Sequence, residues 1–256
     1  MMTKQFLTMK KIDESTIVVG LNRPDKRNAL SLDLMSDLCE VFEALQDHPS
    51  YRVIVLTGEG KTFCAGLDLQ EAADINLVEK MSQHVARLLT AIYSSKLVTI
   101  AALQGSAIAG GAGLVAACDC AVMAINAQIG FPETRRGLVA AQVAPLLRRQ
   151  ISMRDIRELL LVGNLVDAER ALSMGLVNRV VEPEWVMTEA LNLAERILLG
   201  APEATKETKR LLDSLEPTDF YKDMEIAISF HHAARHSAEA KEGIAAFLEK
   251  REPSWK

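Results

Sequence analysis

The feature that most constrains the fold is a repeated order of a short apolar strand, a loop of small residues and a helix. The strand-like runs 53–57 and 98–103 are almost wholly apolar and lack the alternation of a strand with one wet face. Such uninterrupted runs are typical of strands buried on both faces of a parallel sheet. Each run leads into a loop with glycine and alanine, and each loop leads into helical sequence. We therefore predict an α/β fold with a parallel sheet.

The remaining elements divide the chain into an α/β part and a helical tail. Runs 6–10 and 16–21 flank a polar turn and predict a β-hairpin, and Ser31 predicts the cap of the next helix. Further predicted elements are helices at 86–93 and 111–117, a strand at 120–124, helices at 141–149 and 154–162, and a strand at 177–181. From residue 184 the sequence is almost purely helical, with breaks at 200–202 and near Glu216-Pro217.

We assign residues 1–198 to the α/β core and residues 199–256 to a C-terminal helical oligomerisation region. A short helical tail buries little apolar surface by itself, so we expect it to pack on the body or on a neighbouring subunit.

Composition excludes several classes of function. The chain has 256 residues, 49% of them hydrophobic and 25% charged, which is typical of a globular protein. A net charge of −5 argues against a nucleic-acid partner. No run approaches the roughly 18 apolar residues of a membrane span, and the first residues do not resemble a signal peptide. The four cysteines lack a disulfide pattern, so we expect a cytoplasmic protein without a membrane partner.

Two loops, 62–69 and 105–113, carry the strongest functional signal. Both follow a predicted strand and open a helix, where backbone N–H groups have no intrahelical acceptor. Two such loops side by side can direct two N–H donors at one oxygen that gains negative charge during a reaction. This pattern predicts a site that stabilises an oxyanion.

Several acidic and basic residues are candidates beside these loops, each with an alternative role. Glu133, after Pro132, is either an acid or base or a carboxylate at a helix start. Asp68 and Asp119 are either further carboxylates of the site or, respectively, a helix cap and a structural hydrogen-bond acceptor. Arg135 and Arg136 either act on Glu133 and an acidic substrate group or form a solvated pair.

Cysteine and histidine candidates have plain structural alternatives as well. Cys64 is either a nucleophile or a small packing residue. His232 and His236 lie four residues apart on a predicted helix, with His231 adjacent, but no H-E-x-x-H motif is present. We expect these histidines to lie on a solvated or subunit-contact face, away from the loops, and we expect no metal site.

The chain resembles the enoyl-CoA hydratase/isomerase (crotonase) family. The resemblance rests on motifs in the family order, at 22–30 with Asn28-Ala29-Leu30, at 63–69, at 105–113 with Cys118-Asp119, and at Phe131-Pro132-Glu133. Further matches between residues 167 and 181 extend it over nearly the whole chain. It implies a crotonase-like ββα spiral core and a C-terminal α-helical trimerisation region, assembled as a homotrimer or a dimer of trimers.

The resemblance also implies a site for an acyl-CoA thioester. Carried over motif by motif, the two N–H donors to the thioester oxygen belong to Leu67 and Gly110, and Glu133 is the acid or base. The implied substrate-binding residues are Arg27, Ala29, Ala65, Asp68, Leu69 and Gly111. Coenzyme A is part of the substrate, so no separate cofactor is expected.

The reaction itself has two readings from the resemblance. Family hydratases usually have a second glutamate, and the corresponding residue here is Gly113. Single-glutamate relatives include isomerases and hydratases of branched or glutaconyl-type CoA esters. We therefore expect enoyl-CoA hydration on such an ester, with Δ3,Δ2-enoyl-CoA isomerisation or a catalytically silent CoA-binding protein as alternatives.

Overall fold

The computed structural model describes residues 4–214 and 220–251 and shows a mixed α/β chain. Its strands are β1 (Leu7–Lys11), β2 (Thr16–Leu21), β3 (Val53–Gly58), β4 (Val98–Leu103), β5 (Ala107–Ile108), β6 (Cys120–Ala124), β7 (Gln128–Gly130), β8 (Leu165–Asp167) and β9 (Arg179–Val181). Its α-helices are α1 (Leu32–Leu45), α2 (Leu69–Ala73), α3 (Val78–Tyr93), α4 (Gly110–Ala117), α5 (Ala144–Gln150), α6 (Met153–Arg157), α7 (Ala168–Met174), α8 (Val186–Leu198), α9 (Pro202–Ser214), α10 (Phe220–Arg235) and α11 (Ala238–Leu248).

The main sheet confirms the predicted α/β fold. Its strand order is β1-β2-β3-β4-β6-β9, and only the β1–β2 hairpin is antiparallel. Every residue of β2 and β3 is buried, as expected for a parallel sheet covered on both faces. Because these strands are parallel, the loops that follow β3 and β4 leave the sheet at the same edge.

A second sheet of three short strands, in the order β5-β7-β8, was not predicted. Its strands have only two or three residues each, too few to show a periodic pattern. β5 lies within the predicted loop 105–113, so part of that loop is sheet. A separate parallel bridge between Cys64 and Ala107 joins β5 to the first loop.

Several predicted boundaries were wrong for local reasons. The helix predicted at 154–162 is present over 153–162, but its second half, Glu158–Val162, is π-helical. The helix expected at 141 begins only at Ala144, with Pro145 in its first turn. The strand expected from 177 begins at Arg179, because Asn178 hydrogen-bonds Ala121 through its backbone and its side chain.

The C-terminal helices pack against the body of this chain. The predicted break at 200–202 separates α8 from α9, and Lys209 of α9 forms a 2.7 Å ion pair with Asp119. The predicted break at Glu216-Pro217 lies outside the described residues. Helix α10 packs on α3 and α5, and α11 packs on the 3-10 turn Thr134–Arg136. Among the helices of the described ranges, none is long and apolar enough to cross a membrane.

Candidate active site

Asn28 explains why the loop after β3 has a defined shape. This fully buried residue donates through its Nδ2 to the carbonyl oxygens of Glu59, Thr62 and Phe63, at 2.8 to 3.2 Å. Its Oδ1 accepts from the Arg23 amide at 2.9 Å. Asn28 has a φ of 54°, a conformation that asparagine tolerates better than most residues. The asparagine of the Asn28-Ala29-Leu30 motif therefore fixes the loop rather than contacting a ligand.

Backbone hydrogen bonds bring the two loops together. The first loop is held on one side by Leu30, whose amide donates to Gly66 O at 2.8 Å and whose carbonyl accepts from Asp68 N at 2.9 Å. On its other side, Ile108 N donates to Cys64 O at 3.0 Å. The first loop thus lies between the segment at residue 30 and strand β5, directly beside the start of α4.

Two of the backbone N–H groups that have no acceptor at this junction, within residues 4–214 and 220–251, lie side by side. They belong to Leu67, which follows Gly66 at a φ of 91°, and to Gly110, the first residue of α4. A Cβ built on Gly110 would lie 3.9 Å from Leu67 N, and one built on Gly66 would lie 3.5 Å from Gly110 N. The two donors are therefore close neighbours and can serve one acceptor oxygen.

Backbone strain supports the position of the second donor. Ala109, just before Gly110, has a φ of 53° and a ψ of −120°, which a residue with a side chain rarely adopts. Its amide donates to Gly130 O at 2.8 Å, so the small sheet holds it in place. Strained residues of this kind cluster at functional sites, where the surrounding structure compensates a cost of about 1 to 3 kcal/mol.

Glu133 faces the same cavity as the two amides. Its Oε2 is buried without a hydrogen-bond partner among the residues that the structure describes. Burial raises the pKa of Glu133 from 4.5 to about 7, while its own amide and Arg136 act in the opposite direction. Near neutral pH the carboxyl can therefore both accept and donate a proton.

A side chain at position 113 would require neighbouring side chains to move. A Cβ built there would lie 2.8 Å from Val143 Cγ1 and 3.4 Å from Leu89 Cδ2. A glutamate at this position would require Val143 to move, and Val143 itself lines the cavity. Apolar side chains therefore occupy the space beside Gly113.

A cavity of about 460 Å³ collects most of the sequence-predicted site residues. Those on its wall are Arg27, Ala29, Ala65, Leu67, Asp68, Leu69, Gly110 and Glu133. Gly111 does not line it, since its Cβ position would lie 2.3 Å from Cys64 O, in the packing between α4 and the first loop. Asp68 caps α2 through Gln70 N at 3.1 Å and pairs with Arg23 at 3.0 Å, which leaves it little freedom for chemistry.

The structure gives Cys64 and Asp119 roles in packing and hydrogen bonding. Cys64 is fully buried, its Sγ lies 3.1 Å from Asn28 O, and burial raises the pKa of its thiol to about 12, so it is a packing residue. Asp119 accepts hydrogen bonds from Thr99 and lies outside the cavity wall. Within the described ranges, no three His, Cys, Asp or Glu residues are placed to hold a metal ion.

Sequence reasoning missed the contribution of the C-terminal helices to the cavity. We expected His231 to lie away from the loops, and this was wrong, because His231 lines the cavity together with Arg235 of α10. Ile244 and Phe247 of α11 complete this wall. The sequence of the C-terminal helices does not predict this contribution, because the way these helices pack on the body depends on residues far away in the chain.

The comparisons with known proteins identify the family. The family model for enoyl-CoA hydratase/isomerase matches residues 11–256. A Thermus thermophilus protein provisionally named an enoyl-CoA hydratase is 39% identical over 241 residues, covering 92% of this chain and 95% of its own. A carnitinyl-CoA dehydratase from Proteus mirabilis is 34% identical over 249 residues, covering 94% of this chain and 95% of its own.

A solved structure agrees with these matches. The crystal structure of an enoyl-CoA hydratase/isomerase from Pseudoalteromonas atlantica has a TM-score of 0.88 at 31% identity, and the match covers 98% of this chain and 100% of that one. The chain belongs to the enoyl-CoA hydratase/isomerase family and has the crotonase fold. It is thus a family enzyme of the kind that acts on acyl-CoA thioesters.

Proposed function

We propose that this protein hydrates an enoyl-CoA ester, with the thioester oxygen held by the amides of Leu67 and Gly110 and Glu133 as the acid and base. The observation that carries the proposal is the convergence of unpartnered groups on one cavity. Two free N–H donors and a buried, unpartnered carboxylate oxygen all face it. A site with free donors and a free carboxylate is suited to a ligand whose charge changes during reaction.

The chemistry needs one glutamate to act twice. In the proposed reaction, Glu133 takes a proton from water as the water oxygen bonds to C3, and the double-bond electrons move onto the thioester oxygen. The two amides stabilise that negative oxygen. Glu133 then returns the proton to C2 as the carbonyl re-forms, so that H and OH have been added across the double bond. A carboxyl with a pKa of about 7 is suited to both steps.

The packing around Gly113 favours a second reading, double-bond isomerisation. An isomerase needs no water-activating group, and apolar atoms fill the space beside Gly113. Glu133 would remove a C2 proton from a 3-enoyl ester, form a dienolate whose oxygen the same amides hold, and return the proton to C4.

An absorbance assay separates these readings from a silent CoA-binding protein. Purified protein is given crotonyl-CoA, 3-methylglutaconyl-CoA and a 3-enoyl-CoA, and the absorbance of the conjugated thioester is followed. Hydration consumes that absorbance for the first two esters, and isomerisation of the third creates it. No change with any ester, despite retained binding of a saturated acyl-CoA, would refute both enzymatic readings and favour the silent one.

Assembly and compartment are part of the same proposal. We infer a homotrimer or a dimer of trimers in the cytoplasm, acting on a branched or glutaconyl-type ester. Exposed apolar side chains on the C-terminal helices support self-association: Leu212 is 60% exposed and Phe230 is 61% exposed. The four cysteines are free thiols, which is typical of a reducing compartment.

A further inference from the structure

Two arginine side chains on the cavity wall form no ion pair with a carboxylate of the residues that the structure describes. Arg235, the last residue of α10, is only 8% exposed and lines the cavity. Arg136, three residues after Glu133, is half-buried and lines it too. Among the side chains that the structure describes, no carboxylate forms an ion pair or hydrogen bond with Arg235. The guanidinium of Arg136 lies 4.7 Å from the Phe247 ring and likewise has no bonded carboxylate there.

Burial of an unpaired guanidinium is costly. Burial lowers the pKa of both arginines, the direction expected when a charged group leaves water, and Arg235 has no opposing acidic contribution. The end of a helix favours a cation, but only weakly at ordinary sites. The helix dipole alone therefore does not account for a buried Arg235 that faces a cavity.

The charged groups of the cavity wall come from separate parts of the chain. Asp25, Lys26 and Arg27 come from the turn Pro24–Lys26 and the residue after it. Arg136 follows Glu133, and His231 and Arg235 come from α10. Burial and Arg235 lower the pKa of His231 to about 4, so His231 is neutral near pH 7. Glu133 acts electrostatically on Arg136, whereas no acidic group acts on Arg235. The buried guanidinium of Arg235 is therefore the group of this wall that most needs an anion.

We propose that the acyl group of the substrate ends in a carboxylate, and that Arg235 and Arg136 bind it. The substrate class is then a CoA monothioester of a short unsaturated dicarboxylic acid. This inference rests on the proposed function for the orientation of the ligand, with its thioester at Leu67 and Gly110 and its acyl chain passing Glu133. The carboxylate supplies the bonded negative partner that Arg235 lacks among the described side chains.

The far end of the acyl group differs among the CoA esters for which related proteins are named. The charge of the cavity wall favours one kind of end over the others. The Proteus mirabilis relative is named for carnitinyl-CoA, whose acyl group carries a quaternary ammonium. Two unpaired guanidinium groups would repel such a cation. An uncharged alkyl end would leave both arginines without a partner in a site that has lost its water.

The test compares binding of two saturated thioesters, so that it does not depend on turnover. Glutaryl-CoA carries a terminal carboxylate, and hexanoyl-CoA has an alkyl chain of similar length. Isothermal titration measures both dissociation constants for the wild type and for Arg235→Met, Arg136→Met and Arg235→Lys. Arg154→Met, at an exposed arginine of α6 outside the cavity wall, is the matched control. Binding of hexanoyl-CoA shows that each variant is folded.

The wild type is expected to bind glutaryl-CoA at least about tenfold more tightly, because a charged hydrogen bond contributes roughly 1.5 to 3 kcal/mol. In Arg235→Met the preference should fall below threefold, Arg235→Lys should keep part of it, and Arg154→Met should keep all of it. A wild-type preference below tenfold, or a preference that survives both methionine variants, overturns the inference. An enzyme that binds glutaryl-CoA as expected but turns over no enoyl-CoA would refute the proposed function alone.

Discussion

Replacement of Glu133 by glutamine is expected to stabilise the folded protein at alkaline pH while it abolishes turnover. Burial raises the pKa of this carboxyl from 4.5 to about 7, so the folded chain binds the proton more tightly than the unfolded chain does. Between these two values the folded state keeps a proton that the unfolded state has lost. The contribution of Glu133 to stability therefore falls as the pH rises through this window and stays low above it.

The magnitude follows from the two pKa values. One pKa unit corresponds to about 1.4 kcal/mol, so the loss above neutral pH is at most about 3.5 kcal/mol. Between pH 5 and pH 8 the two titrations predict a loss of about 2.5 kcal/mol from this group. Glutamine has nearly the same shape but does not ionise. The Glu133→Gln variant should lack this loss. The difference between its free energy of unfolding and that of the wild type should therefore increase by about 2.5 kcal/mol between pH 5 and pH 8.

Urea unfolding at pH 5 and pH 8 measures the effect, with the protomer concentration held fixed because self-association alters apparent stability. Glu195→Gln, at an exposed position on α8, is the matched control and should follow the wild type at both pH values. If Glu133→Gln differs from the wild type by the same amount at pH 5 and pH 8, the carboxyl is not held in a desolvated state and the reasoning is wrong.

The remaining predictions concern rate and packing. The kcat/KM of the wild type should rise with pH through about 7, as Glu133 loses its proton. A pH profile of kcat/KM that is flat would contradict this role. Glu133→Gln should reduce kcat/KM by roughly two to four orders of magnitude. Gly110→Pro removes one N–H and should reduce kcat roughly a hundredfold below Gly110→Ala, which keeps that N–H. Equal rates would refute the role of the amide. Gly243→Ala should lower the free energy of unfolding by about 1 to 3 kcal/mol and raise KM. The reason is that the alanine Cβ would lie 2.3 Å from Arg136 O. Unchanged urea unfolding and an unchanged KM would show that α11 does not close the cavity.

The fold was predictable where residues carry a local signal. The apolar runs of β3 and β4 are long enough to show burial on both faces, and the two loops that follow them have small residues at consecutive positions. The Ser31 cap was equally predictable, because a serine directly before an amphipathic run commonly caps a helix. In the structure, Ser31 Oγ accepts a hydrogen bond from Leu34 N at 3.3 Å.

The far wall of the cavity was not predictable, because it depends on how distant segments pack. Arg235 and Phe247 are separated from Glu133 by about a hundred residues and meet it only after α10 and α11 fold onto the body. Their helical pattern alone gives no sign of the partner they pack against. The contact of α11 with the turn after Glu133 depends on Gly243, and a glycine in a helix predicts no particular neighbour.

The central claim is that the two amides polarise the carbonyl group of the bound thioester. The most direct measurement is the carbon-13 NMR shift of a carbonyl-labelled hexanoyl-CoA bound to Glu133→Gln, which cannot turn it over. We expect a downfield shift relative to the free thioester and a smaller one when Gly110→Pro is added. A bound carbonyl with the same shift as the free thioester in water would contradict the account.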